Sequence, residues 1–134
     1  MSANLFIGRF QPPHKGHQAI FNTYLQQGEK VLIAIRDVPT DEKNPFTAQQ
    51  VLYLWKEVYR NNPNVEVIVI PDIKSVNYGR DVGYAINEIV APSNIRRISA
   101  TEIRSQIQSG VEDWKNSVDS AIHEALIEMY AKYN

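Results

Sequence analysis

Residues 5–35 read LFIGRFQPPHKGHQAIFNTYLQQGEKVLIAI, and this stretch decides the fold. It opens on a short apolar run, Leu5 to Gly8, that halts in a loop crowded with glycine, proline and histidine, GRFQPPHKGH at residues 8–17. An apolar run bounded by turn residues reads as a buried strand. After Gly16 the period changes. Ala19, Ile20, Tyr24 and Leu25 recur at helical spacing, and Gly28 stands where a closing glycine belongs. Val31 to Ile35 is again continuously apolar and rich in β-branched residues, the mark of a strand covered by helices on both faces. Outward from there, a polar loop spans Arg36 to Pro45, and Thr47 with Gln50 forms a capping-box pattern. Val51, Leu52, Leu54, Trp55, Val58 and Tyr59 then make a helix face that stops at Asn61–Asn62–Pro63, and Val65 to Ile70 is a third strand. Strand, helix, strand, helix, strand predicts βαβ units: an α/β fold on an open parallel sheet with helices on both faces.

Beyond Pro71 the periodicity predicts three further helices. Val82, Ala85, Ile86, Ile89 and Val90 line one face of a helix over 81–90. Ser99 and Glu102 have capping-box spacing at the start of another, which Gly110 ends. A C-terminal helix is expected over about 117–133, with Val118, Ala121, Ile122, Ala125, Leu126, Met129 and Tyr130 as a core-packing stripe. No repeat or linker divides the 134 residues, so one domain over 1–134 is expected, with its core at 4–108. A formal net charge of -1 supplies no surplus of phosphate-neutralising cations, so neither nucleic acid nor an anionic membrane is expected as a partner. The chain has no cysteine, which excludes disulfides and Cys-ligated zinc. Its start runs directly into LFIG without a leader layout, and no apolar run approaches membrane length, so a cytoplasmic location is expected.

In an open parallel sheet ligands bind beyond the carboxyl ends of the strands, so the loop after the first strand matters most. It sets His14 and His17 three apart, with Arg9 and Lys15, at the start of the first helix. Unpaired backbone N–H groups and the positive dipole end favour an anion there. Gly16 leaves the backbone accessible between the rings, and imidazoles at i and i+3 can both face one phosphate. His-x-Gly-His also fits a metal-ligand pair or two solvated histidines. A metal pair wants further ligands, however, whereas His123 lies in the terminal helix and the loop holds no acid. No protein metal site is therefore expected. A second segment, ISATEIR at residues 98–104, offers another helix start with two hydroxyls, Ser99 and Thr101, and Arg104 one turn in. These groups make a cradle for the outer phosphates of a nucleoside triphosphate. Taken alone, the same segment reads as a capped helix with a surface arginine.

Together the two motifs resemble the nucleotidyltransferase superfamily with the HxGH signature, whose second signature is an Ile-Ser-x-Thr-x-Ile-Arg-like segment. GRFQPPHKGH and Asn44–Pro45–Phe46–Thr47 are most similar to the archaeal-type nicotinamide-mononucleotide adenylyltransferases, and the resemblance spans about residues 4–108. It implies a Rossmann-like fold and transfer of a nucleoside monophosphate, AMP from ATP, to a phosphorylated small-molecule acceptor such as nicotinamide mononucleotide, with release of pyrophosphate. Residue by residue, it implies that His14 and His17 bind the triphosphate and stabilise charge at the α-phosphate. Gly8, Arg9, Phe10 and Gln11 match the nucleotide-binding Gly-Arg-Phe-Gln motif, and Gly16 admits the nucleotide closely. Ser99, Thr101 and Arg104 match the segment expected to hold the β- and γ-phosphates. Mg²⁺, held mainly by substrate phosphates, is the implied cofactor, and relatives of this kind form homo-oligomers.

Four cations are further candidates for phosphate or acceptor contacts. Lys15 and Lys43 also read as solvated lysines, Arg36 ends the second strand on the ligand side, and Arg80 lies between Gly79 and Gly83. The segment 71–98 is shorter than in the family, which leaves acceptor and base choice open. Trp55 and Trp114 are candidates for stacking on a ring, though both read more readily as core. A cytidylyltransferase acting on a polyol or sugar phosphate and a catalytically silent nucleotide-binding module are the competing readings.

Overall fold

The structure is a computed structural model that describes residues 2–80 and 83–133. Three strands, β1 (Ala3–Gly8), β2 (Lys30–Asp37) and β3 (Val65–Pro71), pair in parallel in the order β1-β2-β3. The connections are α1 (Lys15–Leu25) and α2 (Ala48–Val58), since parallel neighbours need a crossover of this length. The strand–helix alternation expected from the first half of the chain is therefore present. Register sets Ile33 between Phe6 and Val67, and Ile35 between Gly8 and Val69. That face meets Phe21 of α1 and Val51, Leu54 and Trp55 of α2, all fully buried. The alternate face holds Leu5, which is exposed, and Leu32 and Ile68, which are half-buried. Burial thus concentrates on one face, more than an all-apolar VLIAI run suggests.

After β3 come a short helix α3 (Ser93–Arg96), α4 (Ala100–Ser109) and α5 (His123–Tyr133). Ile103 of α4 joins the same core, as do Trp114, Val118, Ile122, Leu126 and Tyr130. Trp55 and Trp114 are both core residues, at 0% and 4% exposure, so neither offers a stacking surface.

Two expected helices differ. Residues 83–92 form no helix, and Asp81 and Val82 lie outside the described residues. Ile86 and Val90 are exposed: the apolar stripe finds no surface to cover, and a short helix without packing is unstable in water. The C-terminal helix starts at His123 instead of Ser117, preceded by two 3₁₀ turns, Asp113–Ser117 and Ser120–Ile122. Side chains take the place of helical bonds there. Asp119 accepts from the Ala121 amide at 2.9 Å and from Gln18 Nε2 at 3.2 Å, and His123 Nε2 meets the Val118 carbonyl at 2.7 Å.

The helix caps follow the sequence more closely. Thr47 and Gln50 form the full reciprocal box at 3.1 and 2.9 Å. Ser99 caps α4 only on one side, at 3.4 Å, because the Glu102 carboxylate instead accepts from Gln106. Gly110 ends α4 with a left-handed φ of 76°. Among the described residues no helix is long and apolar enough to cross a membrane.

Candidate active site

The loop leaving β1 reverses sharply. Phe10 adopts φ 53°, left-handed for a non-glycine residue, and its ring folds back over Gly8, where a Cβ would lie 2.9 Å from Phe10 Cζ. The ring is buried against Phe21, Trp55 and the edge of His17. Phe10 therefore shapes the loop from the core side, while Arg9 stays exposed. Gln11 is also buried, and its amide clasps the backbone of Phe46: Nε2 donates to the Phe46 carbonyl and Oε1 accepts from the Phe46 amide, each at 3.0 Å. This clasp ties the loop after β1 to the loop before α2.

His14 and His17 together cap α1. His14 Nδ1 accepts from the Gly16 amide at 3.0 Å, and His17 Nδ1 accepts from the His14 amide at 3.1 Å. The two rings stack 3.7 Å apart, inclined by 19°. Because backbone N–H groups occupy both Nδ1 atoms, each neutral ring carries its proton on Nε2. The pair thus presents two Nε2–H donors at the positive end of a helix. Burial pulls the His14 pKa down to about 4, and burial with the neighbouring ring holds His17 well below its ordinary value. Gly16 is required for a different reason than nucleotide approach alone, since a Cβ there would come within 2.7 Å of His14 Cε1.

The second motif reaches this loop through Arg104. Its Nη1 donates to the Gln11 carbonyl at 2.6 Å and its Nη2 to Thr101 Oγ1 at 3.4 Å. The Ile95 carbonyl lies 3.8 Å from where a Cβ on Gly16 would sit, so α3 also abuts the start of α1. Arg104 of ISATEIR therefore meets the loop beyond the carboxyl end of β1 at Gln11, three residues before His14. Beside Arg104 opens a cavity of about 700 Å³ whose lining includes Lys43, Pro45, Thr101, Arg104, Ser105 and Tyr130 but neither His14 nor His17. Asp41 also lines it, but its Oδ1 accepts from the Lys43 and Asn44 amides and from Asn44 Nδ2, bonds with Asn44 chief among the causes that lower its pKa.

The remaining cations divide. Lys43 borders the cavity, and Lys15 is exposed at the first position of α1. Arg36, at the end of β2, is engaged with Asp72 at 2.8 Å and with the Ile73 carbonyl at 3.2 Å. Arg80 is exposed on the segment after β3 and is not brought to the cavity lining. Ser99 acts as the N-cap of α4. Sequence reasoning passed over Tyr130 as a site residue, because its spacing in the terminal stripe reads as core.

The chain is similar to known proteins over most of its length. The model of the cytidylyltransferase-like family matches residues 5–80, which run from within β1 through α1, β2 and α2 to beyond the end of β3. Among curated relatives, a nicotinamide-nucleotide adenylyltransferase of Methanoculleus marisnigri is 27% identical over 157 aligned positions, covering 97% of this chain and 93% of its own length. Proteins of the same name from Pyrobaculum arsenaticum and Pyrococcus abyssi are 29% and 28% identical, covering 94% and 96% of this chain and 88% and 84% of their own lengths. Each alignment is longer than this chain, so the relatives carry extra residues within the matched span.

Proposed function

Since the chain belongs to the cytidylyltransferase-like family, we propose that it is a nucleotidyltransferase that moves AMP from ATP to nicotinamide mononucleotide and releases pyrophosphate. The anchoring of Arg104 on the loop that leads into His14 and His17 supports this reading, because it ties a guanidinium to the same loop as two neutral N–H donors at a helix N-terminus. The names borne by relatives covering nearly the whole chain choose adenylyl transfer and this acceptor.

In the proposed reaction an oxygen of the acceptor phosphate attacks the α-phosphorus, and the bond to the β-phosphate oxygen breaks with pyrophosphate leaving. Nε2–H of His14 and His17 hydrogen-bonds the α-phosphate oxygens as charge gathers there, and needs no proton transfer to do so. Arg104, Thr101 and Lys43 receive the leaving pyrophosphate along the cavity wall. Gln11 acts as a positioning residue: its clasp on Phe46 fixes the carbonyl on which Arg104 rests. Arg36, held by Asp72, serves the rim of the sheet. Among the described residues no three His, Asp or Glu side chains gather as a metal site. The residues present fit a Mg²⁺ that arrives chelated by the triphosphate and keeps water ligands, neutralising phosphate charge when bound. The chain works as one domain, cytoplasmic, on small molecules.

Pyrophosphate release is the test: ATP and CTP are each crossed with nicotinamide mononucleotide and a polyol phosphate, with Mg²⁺ present. Selective turnover of ATP with nicotinamide mononucleotide supports the proposal. CTP with the polyol phosphate would assign a cytidylyltransferase, and nucleotide binding with no release from any pair would leave a silent binding module.

A further inference from the structure

The hydroxyl of Tyr130 is the unexplained group at this cavity. Tyr130 is 4% exposed, and its Oη is buried without a hydrogen-bond partner among the described residues. Leaving a buried hydroxyl unpaired costs on the order of 1–3 kcal/mol. The ring alone would suffice for packing, since it meets Phe46 edge-on at 5.3 Å and closes the core beside Leu126. Phenylalanine would pack there without the penalty. Yet Tyr130 shares the lining of the cavity with Arg104, Thr101 and Lys43, two of them cations.

From this geometry we propose that the Tyr130 hydroxyl donates a hydrogen bond to a terminal phosphate oxygen of the substrate polyphosphate, alongside Arg104. The proposal rests on the reading that a nucleoside triphosphate occupies the cavity, and it names a binding residue on α5 that neither sequence motif contains. The apo cost becomes a binding gain when an anionic oxygen supplies the missing acceptor, because hydrogen bonds to charged groups are the stronger class. Two conditions for a donor are met. Arg104 is close enough for its charge to act on the hydroxyl, so an anion drawn to the guanidinium comes within the hydroxyl's reach, although the acids Asp41 and Glu42 also line the cavity. Burial outweighs the guanidinium's effect and pushes the phenol up to about 12, so the proton stays in place at neutral pH.

The test compares Tyr130→Phe with the wild-type chain by thermal unfolding and by titration with inorganic tripolyphosphate and with AMP, Mg²⁺ present. The expected result is an unliganded Tm equal to or above wild type, about tenfold weaker tripolyphosphate binding, equivalent to about 1.4 kcal/mol, and unchanged AMP binding. Equal tripolyphosphate affinity in the two proteins would overturn the proposal while leaving adenylyl transfer intact. A lowered Tm with both ligands weakened alike would overturn it too, by making the hydroxyl part of the folding core. Wild-type protein that neither binds ATP nor releases pyrophosphate would remove this proposal together with the functional reading beneath it.

Discussion

The backbone decides which nitrogen of each histidine faces the ligand. A proton added to Nδ1 of His14 would point at the Gly16 N–H that now donates to it, so charging the ring breaks the cap on α1. With a folded pKa of about 4 against an unfolded value near 6.5, the unfolded chain binds the proton first as pH falls. Stability is therefore complete above about pH 6.5 and declines toward pH 4, by on the order of 3 kcal/mol for His14. Urea melts at several pH values check this, and His14→Asn should flatten the slope in that window. Asparagine also separates the two roles of the residue. Its oxygen caps a helix as well as Nδ1 does, so stability should change by less than about 1 kcal/mol. The variant lacks the Nε2–H donor, and kcat/KM should fall about 100-fold or more. That these histidines sit together at the start of a helix was legible from their spacing after a strand. Their tautomer was not, because it depends on amides that only the folded helix start presents.

At the scale of elements, the site depends on loops holding one another. Gln11 contributes two buried hydrogen bonds to Phe46, and its carbonyl carries Arg104. Gln11→Leu keeps the volume but leaves the Phe46 amide and carbonyl unpaired. We expect a loss of about 2–4 kcal/mol in chemical denaturation and a raised KM for ATP, as the arginine loses its rest. Gly16→Ala should leave the fold standing and lower turnover sharply, since the added methyl displaces the His14 ring; steady-state kinetics with a circular dichroism melt would show the split. The strands and first two helices were legible because their periods are pure and their boundaries carry Gly, Pro and capping residues. The stripe at 82–90 misled for the opposite reason: a helical period says which residues share a face, not whether a partner surface exists to cover it.

Across the whole molecule, the C-terminal third completes the core begun by β1 to β3. Leu126 is fully buried in that core, and Leu126→Ala should cost about 2–5 kcal/mol in thermal or urea unfolding. Of the terminal stripe, Val118, Ile122, Leu126 and Tyr130 are buried and Ala125 and Met129 pack against them, whereas Ala121 is exposed. The stripe gave no sign that one member, Tyr130, also borders the cavity, because core and rim positions share the same spacing.

The chain's two ends are joined covalently only through the exposed stretch after β3, in which Val76 and Tyr78 are largely uncovered. They are also joined by Arg104 on Gln11, by Gln18 on Asp119 and by Ile103 and Leu126 in the shared interior. Brief trypsin treatment should therefore cut first at exposed Lys74. The two pieces should co-elute in gel filtration as a nicked whole, a split enzyme in which the histidines travel on one fragment and their arginine on the other.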